Sequence, residues 1–269
     1  MTNQHDLQGK VAVVTGASAG IGRAYALALA SEGATVVAAA RRLGGGEGES
    51  RDANTLASLV KTSETLPGRV FAHACDMEVE ADIVRLVDQA VTQFGHIDVL
   101  VNNAGLLWQF DALNIAVEQW DRMMRTNVRG PYIAIRQTAP HMIRQRSGSI
   151  INITAGVGNL TPKSNYPGGL AYGVSKAALN RLSYFMAAEL KPHGIAVNCL
   201  SPGVVLSESA LAARPEAAKA GTHKPCTPEV LGPALLCLAR QTAETLTGQF
   251  LHTDEFQKTW PGAQIGNAP

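Results

Sequence analysis

The sequence predicts a single-domain α/β protein in which a doubly wound parallel sheet of about seven strands carries helices on both faces. Short apolar bursts alternate with amphipathic stretches along the 269 residues, and this alternation is typical of parallel strands joined by crossover helices. Hydrophobic residues make up 46% of the chain but aromatic residues only 5%, so small aliphatic side chains dominate, as in strands covered on both faces. Neither an internal repeat nor an interdomain linker interrupts the pattern, which favours one domain over residues 1–269.

The strands are predicted where apolar and β-branched residues form short runs bounded by turn residues. The first run, VAVVT, leads into a glycine-rich turn, and stretches of helical periodicity separate most of the later runs. The predicted strands are residues 11–15, 35–40, 70–75, 99–101, 150–153, 196–200 and 248–252.

The helices are predicted where apolar residues recur every three or four positions. The pattern is regular at Ile83, Leu86, Val87, Ala90, Val91 and Phe94. The other predicted helices are residues 23–31, 120–146, 171–191 and 227–240, and Gly130 and Pro131 interrupt the longest of them. Residues 43–50, LGGGEGES, are too rich in glycine for a regular element and are predicted to form a flexible surface loop.

The charge balance and the cysteine pattern exclude several classes of function. Lys and Arg number 23 and Asp and Glu number 22, so neither nucleic acid nor an anionic membrane is expected as a partner. The four cysteines are scattered without a CxxC pair, which indicates free thiols and a cytoplasmic location. The amino terminus is polar, without the features of a signal peptide, and apolar runs stay below membrane-spanning length. His73 and Cys75 lack a second pair at ligand spacing, so no metal site is expected.

A glycine-rich turn, TGASAGIG, joins the first predicted strand to the first predicted helix. Gly16, Gly20 and Gly22 permit a tight turn and a close approach of the backbone to a pyrophosphate, and the start of the helix offers N–H groups to an anion. A purely structural turn uses the same residues. The position between a strand and a helix favours dinucleotide binding, and hence a Rossmann-type fold.

Two further motifs extend this interpretation. NNAG, residues 102–105, ends the fourth predicted strand, and YGVSK, residues 172–176, lies at the start of a predicted helix. Together with the Gly-x-x-x-Gly-x-Gly turn, they resemble the motifs of the short-chain dehydrogenase/reductase family over roughly residues 9–254. The resemblance implies a nicotinamide-dependent oxidoreductase that acts on a carbonyl or alcohol. It also implies a homodimer or homotetramer built on the two longest helices.

The end of the second strand predicts which dinucleotide is bound. An acid at this position accepts hydrogen bonds from the ribose of NAD, but the position holds Ala40, with Arg41 and Arg42 after it. Guanidinium groups bind phosphate, so NADP(H) is predicted over NAD(H); two arginines that merely end a strand are the alternative. The other cofactor contacts that the resemblance implies are Gly16, Ser18, Gly20, Ile21, Gly22, Asp76, Met77, Asn103, Ala104, Gly105, Tyr172, Lys176, Pro202, Gly203, Val205 and Ser207.

Tyr172 and Lys176 are four residues apart on a predicted helix and therefore share a face. A phenol titrates near pH ~10, and a neighbouring ammonium group lowers that pKa toward the range useful for acid–base catalysis. The resemblance implies that Lys176 also binds the nicotinamide ribose, and that the backbone of Asn127 holds a water that relays protons to the lysine. A solvated Tyr–Lys pair and a solvent-facing Asn127 are the alternatives.

One element of the family pattern is missing. The family places a serine just after the fifth strand, and this slot holds Ala155. The loss of one such hydrogen-bond donor typically costs about 10² to 10³ in rate. Thr154 is one residue away, and strand alternation puts it on the other face of the sheet unless the strand end twists or bulges. Thr154, or a hydroxyl of the lengthened loop (Thr161, Ser164 or Tyr166), is predicted to replace the serine.

The substrate pocket is predicted from the segments that surround the nicotinamide. Residues 204–226 are expected to form a lid. Leu106, Leu107, Trp108 and residues 159–170 are expected to form an apolar wall that suits a cyclic or aromatic ketone or alcohol. Ordinary packing is the alternative role for Trp108.

A second class of function competes with catalysis. A protein of this fold could bind NADP(H) as a sensor or scaffold, with weak or no turnover. Two features favour this class: Ala155 in the serine slot, and the ending HTDEF where the family more often shows an Asp-Gly-Gly type end near Asp254.

Overall fold

A computed structural model describes residues 6–44, 55–159, 167–207 and 224–260 of the chain. The strands are β1 Val11–Thr15, β2 Thr35–Ala40, β3 Arg69–Ala74, β4 Val99–Asn102, β5 Gly148–Ile153, β6 Ile195–Ser201, β7 Val205–Leu206, β8 Lys224–Pro225 and β9 Phe250–His252. The α-helices are α1 Gly20–Ser31, α2 Leu56–Ser63, α3 Glu80–Phe94, α4 Val117–Met124, α5 Gly130–Gln145, α6 Leu170–Leu190 and α7 Pro228–Ala239. Strands and helices alternate as the apolar pattern predicts.

Within the described ranges, seven strands form one sheet in the order β3-β2-β1-β4-β5-β6-β9, and all neighbours are parallel. The predicted doubly wound parallel sheet is therefore confirmed. The chain moves outward in one direction from β1 and in the other direction from β4, so the topology switches between these two strands. Ligands of such sheets bind in the crevice outside the carboxyl ends of the strands at this point.

The sheet separates two apolar layers, and each central strand contributes to both. Along β1, Ala12 and Val14 pack toward the layer that contains α1 and α7, while Val13 packs toward the layer that contains α3 and α5. Along β5, Ile151 and Ile150 divide in the same way. Burial on both faces explains why these strands read as unbroken apolar runs. Each fully buried Val, Leu or Ile side chain contributes about 1.5–3 kcal/mol to this packing.

The helix predicted over residues 120–146 is divided in the structure. A π-helical turn, Arg125–Arg129, lies between α4 and α5, directly before the predicted Gly-Pro interruption. A Cβ on Gly130 would lie 2.8 Å from the carbonyl oxygen of Met77, so glycine is needed where α5 begins against the segment after β3. Single π-turns of this kind occur frequently at functional sites.

The apolar pattern of the sequence did not indicate α2 or the two-stranded sheet of β7 and β8. The signal for α2 is local, because Thr55 and Ser58 form a reciprocal cap: the Thr55 Oγ1 accepts from the Ser58 N–H at 3.0 Å, and the Ser58 Oγ accepts from the Thr55 N–H at 3.1 Å. Most of the predicted surface loop at 43–50 and most of the predicted lid at 204–226 lie outside the described residues. In the described parts of the chain, no helix combines the length and the hydropathy that crossing a membrane requires.

Candidate active site

A cavity of about 730 Å³ lies at the carboxyl edge of the sheet, along the switch point between β1 and β4. Most of the predicted site residues line it: Gly16, Ser18, Gly20, Ile21, Gly22, Arg41, Arg42, Asp76, Met77, Asn103, Ala104, Gly105, Thr154, Tyr172, Lys176, Pro202 and Ser207. Thr55, Glu78 and Thr126 also line the cavity and were not predicted. One elongated site therefore contains both the candidate nucleotide-binding residues and the candidate acid–base pair.

The glycine turn and the NNAG motif are joined by hydrogen bonds. The Thr15 Oγ1 accepts from the backbone N–H groups of Asn103 and Ala104, each at 3.1 Å. The Asn103 Nδ2 donates to the carbonyl oxygens of Thr15 at 2.9 Å and Gly16 at 3.2 Å. This bonding leaves no room for a side chain at Gly22, where a Cβ would lie 2.3 Å from the Gly16 oxygen.

The start of α1 is suited to an anion. Ala19 precedes the helix with extended backbone and no side-chain cap, and the first turn contains no acidic residue. The first N–H groups of a helix lack intrahelical partners and carry the positive end of the helix dipole. With Ser18, Gly20 and Ile21 lining the cavity at this point, the turn fits the pyrophosphate of a dinucleotide.

The other end of the cavity fits an adenosine group. Arg41 and Arg42 are exposed where β2 ends, and no acidic side chain occupies the position of Ala40. Asp76 follows β3, and its Oδ1 accepts from the Glu78 N–H at 2.9 Å. The side chain of Met77 is buried beside it.

Lys176 is buried in the protein, with 4% of its surface exposed. Its Nζ donates to the carbonyl oxygen of Ile153 at 2.8 Å and lies 5.7 Å from the ring centroid of Tyr172. Burial disfavours the charged form and lowers the pKa of the ammonium group to about 8, although the neighbouring Cys199 thiol acts in the opposite direction. A lysine with this pKa can give up and take back a proton near neutral pH.

Asn127 is completely buried and holds three segments together. Its Oδ1 accepts from the Leu106 N–H at 2.7 Å, and its Nδ2 donates to the Leu106 oxygen at 3.0 Å and to the Ser175 Oγ at 2.9 Å. The Ser175 hydroxyl in turn donates to the carbonyl oxygen of Tyr172 at 2.8 Å. The alternative of a solvent-facing Asn127 is therefore wrong, because the side chain fixes α6 relative to the segment after β4.

Thr154 lies on the side of the sheet that faces α6, as does Asn152, whose Nδ2 donates to the Ser183 Oγ of α6 at 2.8 Å. Strand alternation therefore continues through Thr154, and the prediction that alternation places this side chain on the other face of the sheet is wrong. The Thr154 Oγ1 donates to the Asn180 Oδ1 at 2.6 Å, and the Asn180 Nδ2 donates to the Gly158 oxygen at 3.2 Å. The proton of the Thr154 hydroxyl is therefore engaged within the protein. Ala155 follows in extended conformation, and the other hydroxyls named above, Thr161, Ser164 and Tyr166, lie outside the described residues.

The segment after β6 contributes only in part to the wall of the cavity. Pro202 and Ser207 line the cavity, whereas Gly203 and Val205 do not. Gly203 has a φ of +76°, and a Cβ there would lie 2.6 Å from an oxygen of Asp254. Asp254 forms an ion pair with Lys224 of β8, and Val205 packs in the apolar core. Gly203 and Val205 therefore do not line the cavity as predicted, and they pack against Asp254 and the apolar core instead.

Trp108 is held by packing interactions. The Arg122 guanidinium lies 5.2 Å from the centroid of its ring, and Phe110 meets it edge-on at 6.0 Å. Arg122 is itself paired with Glu78 at 3.1 Å. Leu106 and Leu107 line the cavity and Trp108 does not, so two of the three residues expected in the apolar wall reach it.

A parallel sheet with this strand order and a cavity at its switch point defines the Rossmann-type class of fold. The sequence profile of the family described as short chain dehydrogenase matches residues 10–218. The chain belongs to this family. Among the described residues, no group of three or more His, Cys, Asp and Glu side chains could hold a metal ion.

Relatives of known sequence and structure agree with this assignment. The chain is 35% identical over 255 residues to the 3-oxoacyl-[acyl-carrier-protein] reductase FabG of Thermotoga maritima, covering 92% of this chain and 97% of the relative. A short-chain type dehydrogenase/reductase from Mycobacterium marinum superposes with a TM-score of 0.80 at 31% identity, covering 93% and 96% of the two chains. A metagenomic short-chain oxidoreductase in complex with NADP superposes with a TM-score of 0.73 at 31% identity, covering 91% and 97%.

Proposed function

We propose that this protein is an NADP(H)-dependent oxidoreductase that interconverts a carbonyl group and a secondary alcohol, with Tyr172 as the acid–base residue. The observation that carries the proposal is the meeting of two features in one cavity. The Tyr172–Lys176 face of α6 lines the same space as the glycine turn after β1. The candidate proton donor therefore lies at one end of a site whose other end fits a dinucleotide.

Three features support NADP(H) as the cofactor. The backbone at Gly16 and Gly22 is held in the close turn that a pyrophosphate requires. Ala40 offers no carboxylate that would repel a 2′-phosphate, and the exposed residues Arg41 and Arg42 line the cavity. A similar protein of known structure contains NADP.

The proton chemistry follows from the surroundings of α6. NADP(H), when bound, supplies the hydride-transfer chemistry. Tyr172 gives its phenolic proton to the oxygen of the carbonyl during reduction, or takes it from the alcohol during oxidation. Lys176, whose pKa is lowered to about 8, stabilises the phenolate and restores its proton. The hydrogen bond to Ile153 fixes the position of the ammonium group.

The strand end after β5 supplies less to the site than the family pattern implies. Thr154 can serve as the predicted donor to substrate only if its hydroxyl leaves Asn180, to which it donates at 2.6 Å. We therefore infer that Tyr172 alone donates to the carbonyl oxygen in the described part of the site. Thr154 then acts as a positioning residue that ties the end of β5 to α6.

The substrate class follows from the wall beside Tyr172. Leu106 and Leu107 line the cavity, and an apolar wall beside a single proton donor suits a small hydrophobic ketone or alcohol, cyclic or aromatic. The relative from Thermotoga maritima is named as a 3-oxoacyl-[acyl-carrier-protein] reductase, so short 3-oxoacyl thioesters belong in the same test panel.

The decisive experiment is a nicotinamide absorbance assay with the purified protein. NADPH oxidation is followed at neutral pH over cyclic ketones, aromatic ketones and 3-oxoacyl thioesters, and the corresponding alcohols are tested with NADP. Tyr172→Phe should lower kcat about 10²- to 10⁴-fold, the range of general acid–base catalysis, and should leave the Kd for NADPH within about threefold. An unchanged kcat in this variant would contradict the assignment of Tyr172.

The second candidate function is an NADP(H)-binding sensor or scaffold. Ala155 and the engaged Thr154 hydroxyl favour it, because both weaken the case for fast turnover. This function predicts tight NADPH binding by the wild-type protein, no turnover across the panel, and no gain of turnover in Ala155→Ser.

We also propose that the protein assembles with copies of itself through α5 and α6. These helices leave large apolar side chains exposed to solvent: Tyr132, Leu170, Val174, Tyr184 and Phe185. A patch of this kind is typical of an interface between subunits. Light scattering should give the mass of a dimer or tetramer, and Phe185→Glu should reduce it. A monomer in the wild-type protein would contradict the proposal.

A further inference from the structure

The side of α6 that faces the sheet carries three buried polar residues, Lys176, Asn180 and Ser183, before it becomes apolar. These residues lie three or four positions apart and therefore share one face of the helix. Further along the same face, Ala187 and Leu190 pack in the apolar layer beside the sheet. Burial of a polar group costs free energy unless the group is hydrogen-bonded, so the partners of these side chains indicate their role.

Two of the three side chains bond to side chains at the carboxyl end of β5. The Asn180 Oδ1 accepts from the Thr154 Oγ1 at 2.6 Å, and the Ser183 Oγ accepts from the Asn152 Nδ2 at 2.8 Å. The Asn152 side chain is itself fixed from β4, because its Oδ1 accepts from the Asn102 Nδ2 at 2.8 Å. These bonds therefore tie α6 to two adjacent strands in the centre of the sheet.

The bonds of Asn180 and Ser183 lie at two heights along α6, about 4.5 Å apart, since a helix rises about 1.5 Å per residue. A hydrogen bond weakens when its geometry is distorted, and a displacement of α6 along β5 distorts both bonds at once. Apolar contacts, such as those of Ala187 and Leu190, are not directional and oppose such a displacement less. Buried polar groups specify the register of packed helices in this way.

We propose that Ser183 and Asn152 are positioning residues that act together with the bond of Thr154 to set the register of α6 on β5. Because Tyr172 and Lys176 lie on the same helix, this register sets where the phenol and the ammonium group stand relative to the substrate. The inference rests on the proposed function, in which Tyr172 exchanges the proton. Either bond holds the register alone, and the loss of both releases it.

Ser149 provides a matched control on the same strand. Its hydroxyl is buried and donates to the carbonyl oxygen of Leu238 at 2.7 Å, so it ties β5 to α7 on the opposite face of the sheet. Ser149→Ala and Ser183→Ala each remove one buried hydroxyl from the interface between β5 and a helix. Both changes should lower the melting temperature by similar amounts, but only Ser183→Ala weakens the attachment of α6.

The test adds each of these changes to Thr154→Val. The further loss of Ser183 should lower kcat about 10- to 100-fold relative to Thr154→Val alone, because a misplacement of about 1 Å can cost about 10²-fold in rate. The further loss of Ser149 should lower kcat less than about threefold, since α6 keeps its second bond. The Kd for NADPH should stay close to that of Thr154→Val in both double variants, because the glycine turn after β1 takes no part in these bonds.

Equal losses of kcat in the two double variants would overturn the inference, since the rate would then follow stability and not the register of α6. A loss in Thr154→Val/Ser183→Ala that equals the product of the two single losses would also overturn it, because redundant bonds require more than additive effects. Absence of turnover by the wild-type protein would contradict the proposed function instead. A crystal structure of the same double variant then decides the inference: a displacement of α6 along β5 by about 1 Å supports it, and an unmoved helix refutes it.

Discussion

The two halves of the cavity are built from different chemical groups. The half that fits the dinucleotide presents mainly backbone, shaped by Gly16 and Gly22 and held by the hydrogen bonds of Asn103. The catalytic half presents side chains: Tyr172 and Lys176 on α6, and Thr154 at the end of β5. The dinucleotide half therefore requires positions without a side chain, whereas the catalytic half requires each side chain to have the right hydrogen-bond partner.

This difference decides how each half tolerates change. A methyl group at Gly16 or Gly22 would collide with main-chain atoms, at 2.8 Å from the Ala104 Cα and 2.3 Å from the Gly16 oxygen respectively. In the catalytic half, the chain has Ala155 where the resemblance to the family implies a serine, and α6 carries Tyr172 and Lys176. We expect mutations in the first half to remove cofactor binding, and mutations in the second half to tune rate and pH dependence.

The largest effect is expected from Gly22→Ala. The new Cβ would lie 2.3 Å from the Gly16 oxygen and 2.4 Å from the Asn103 Nδ2, so the turn must move away from the pyrophosphate. We expect the Kd for NADPH to rise about 100-fold, near the upper end of the 1–3 kcal/mol cost of overpacking. Gly44→Ala is the control, because Gly44 also lines the cavity and a Cβ there meets none of the described residues within 4 Å. If Gly22→Ala bound NADPH with the wild-type Kd, the distinction between the two halves would be contradicted.

The second effect is the contribution of Lys176 to the pH dependence of the free energy of unfolding. Its folded-state pKa is lowered from 10.5 to about 8, so between these values the unfolded chain binds more protons than the native protein. The free energy of unfolding of the wild type should therefore rise with pH between about 8 and 10.5, by about 3 kcal/mol relative to Lys176→Met. Below pH 7 the two curves should run parallel. Urea denaturation of the apo protein checks this, and parallel curves at all pH values would contradict the burial of the ammonium group.

A smaller effect is expected at the adenosine end of the backbone half. Arg41→Ala and Arg42→Ala should each raise the Kd for NADPH about tenfold, since a hydrogen bond to a charged group contributes about 1.5–3 kcal/mol and both side chains are exposed. The Kd for NADH, which has no 2′-phosphate, should change less than twofold. Equal losses for the two cofactors would contradict the assignment of the arginines to the 2′-phosphate.

The smallest effect on rate is expected from Thr154→Val. Its hydroxyl donates to Asn180, so we expect kcat to fall less than threefold while stability falls by about 1–3 kcal/mol, because the Asn180 oxygen loses its partner. Ala155→Ser is the matched variant and should raise kcat about tenfold, as part of the value of a restored donor. A large loss of kcat in Thr154→Val with no loss of stability would show that Thr154 is the donor after all.

Local patterns in the sequence were sufficient for much of the fold and for the backbone half of the site. Continuous apolar runs indicated the seven strands of the main sheet, because strands buried on both faces cannot alternate with polar residues. The π-turn and α2 were missed. The first lies directly before the close approach of Gly130 to Met77, two residues that are far apart in the sequence. The second is a short helix whose cap is its only strong signal.

The sequence by itself determined the class of fold, the glycine turn and the pairing of Tyr172 with Lys176, because each of these depends on residues only a few positions apart. Only the tertiary structure decided what the side chains at the site bond to. The packing of α6 on β5 brings Asn180 to Thr154 and Lys176 to the Ile153 carbonyl. A hydrogen bond needs atoms within about 3 Å of each other, and for residues this far apart in the sequence only the packing of helices on the sheet sets that distance.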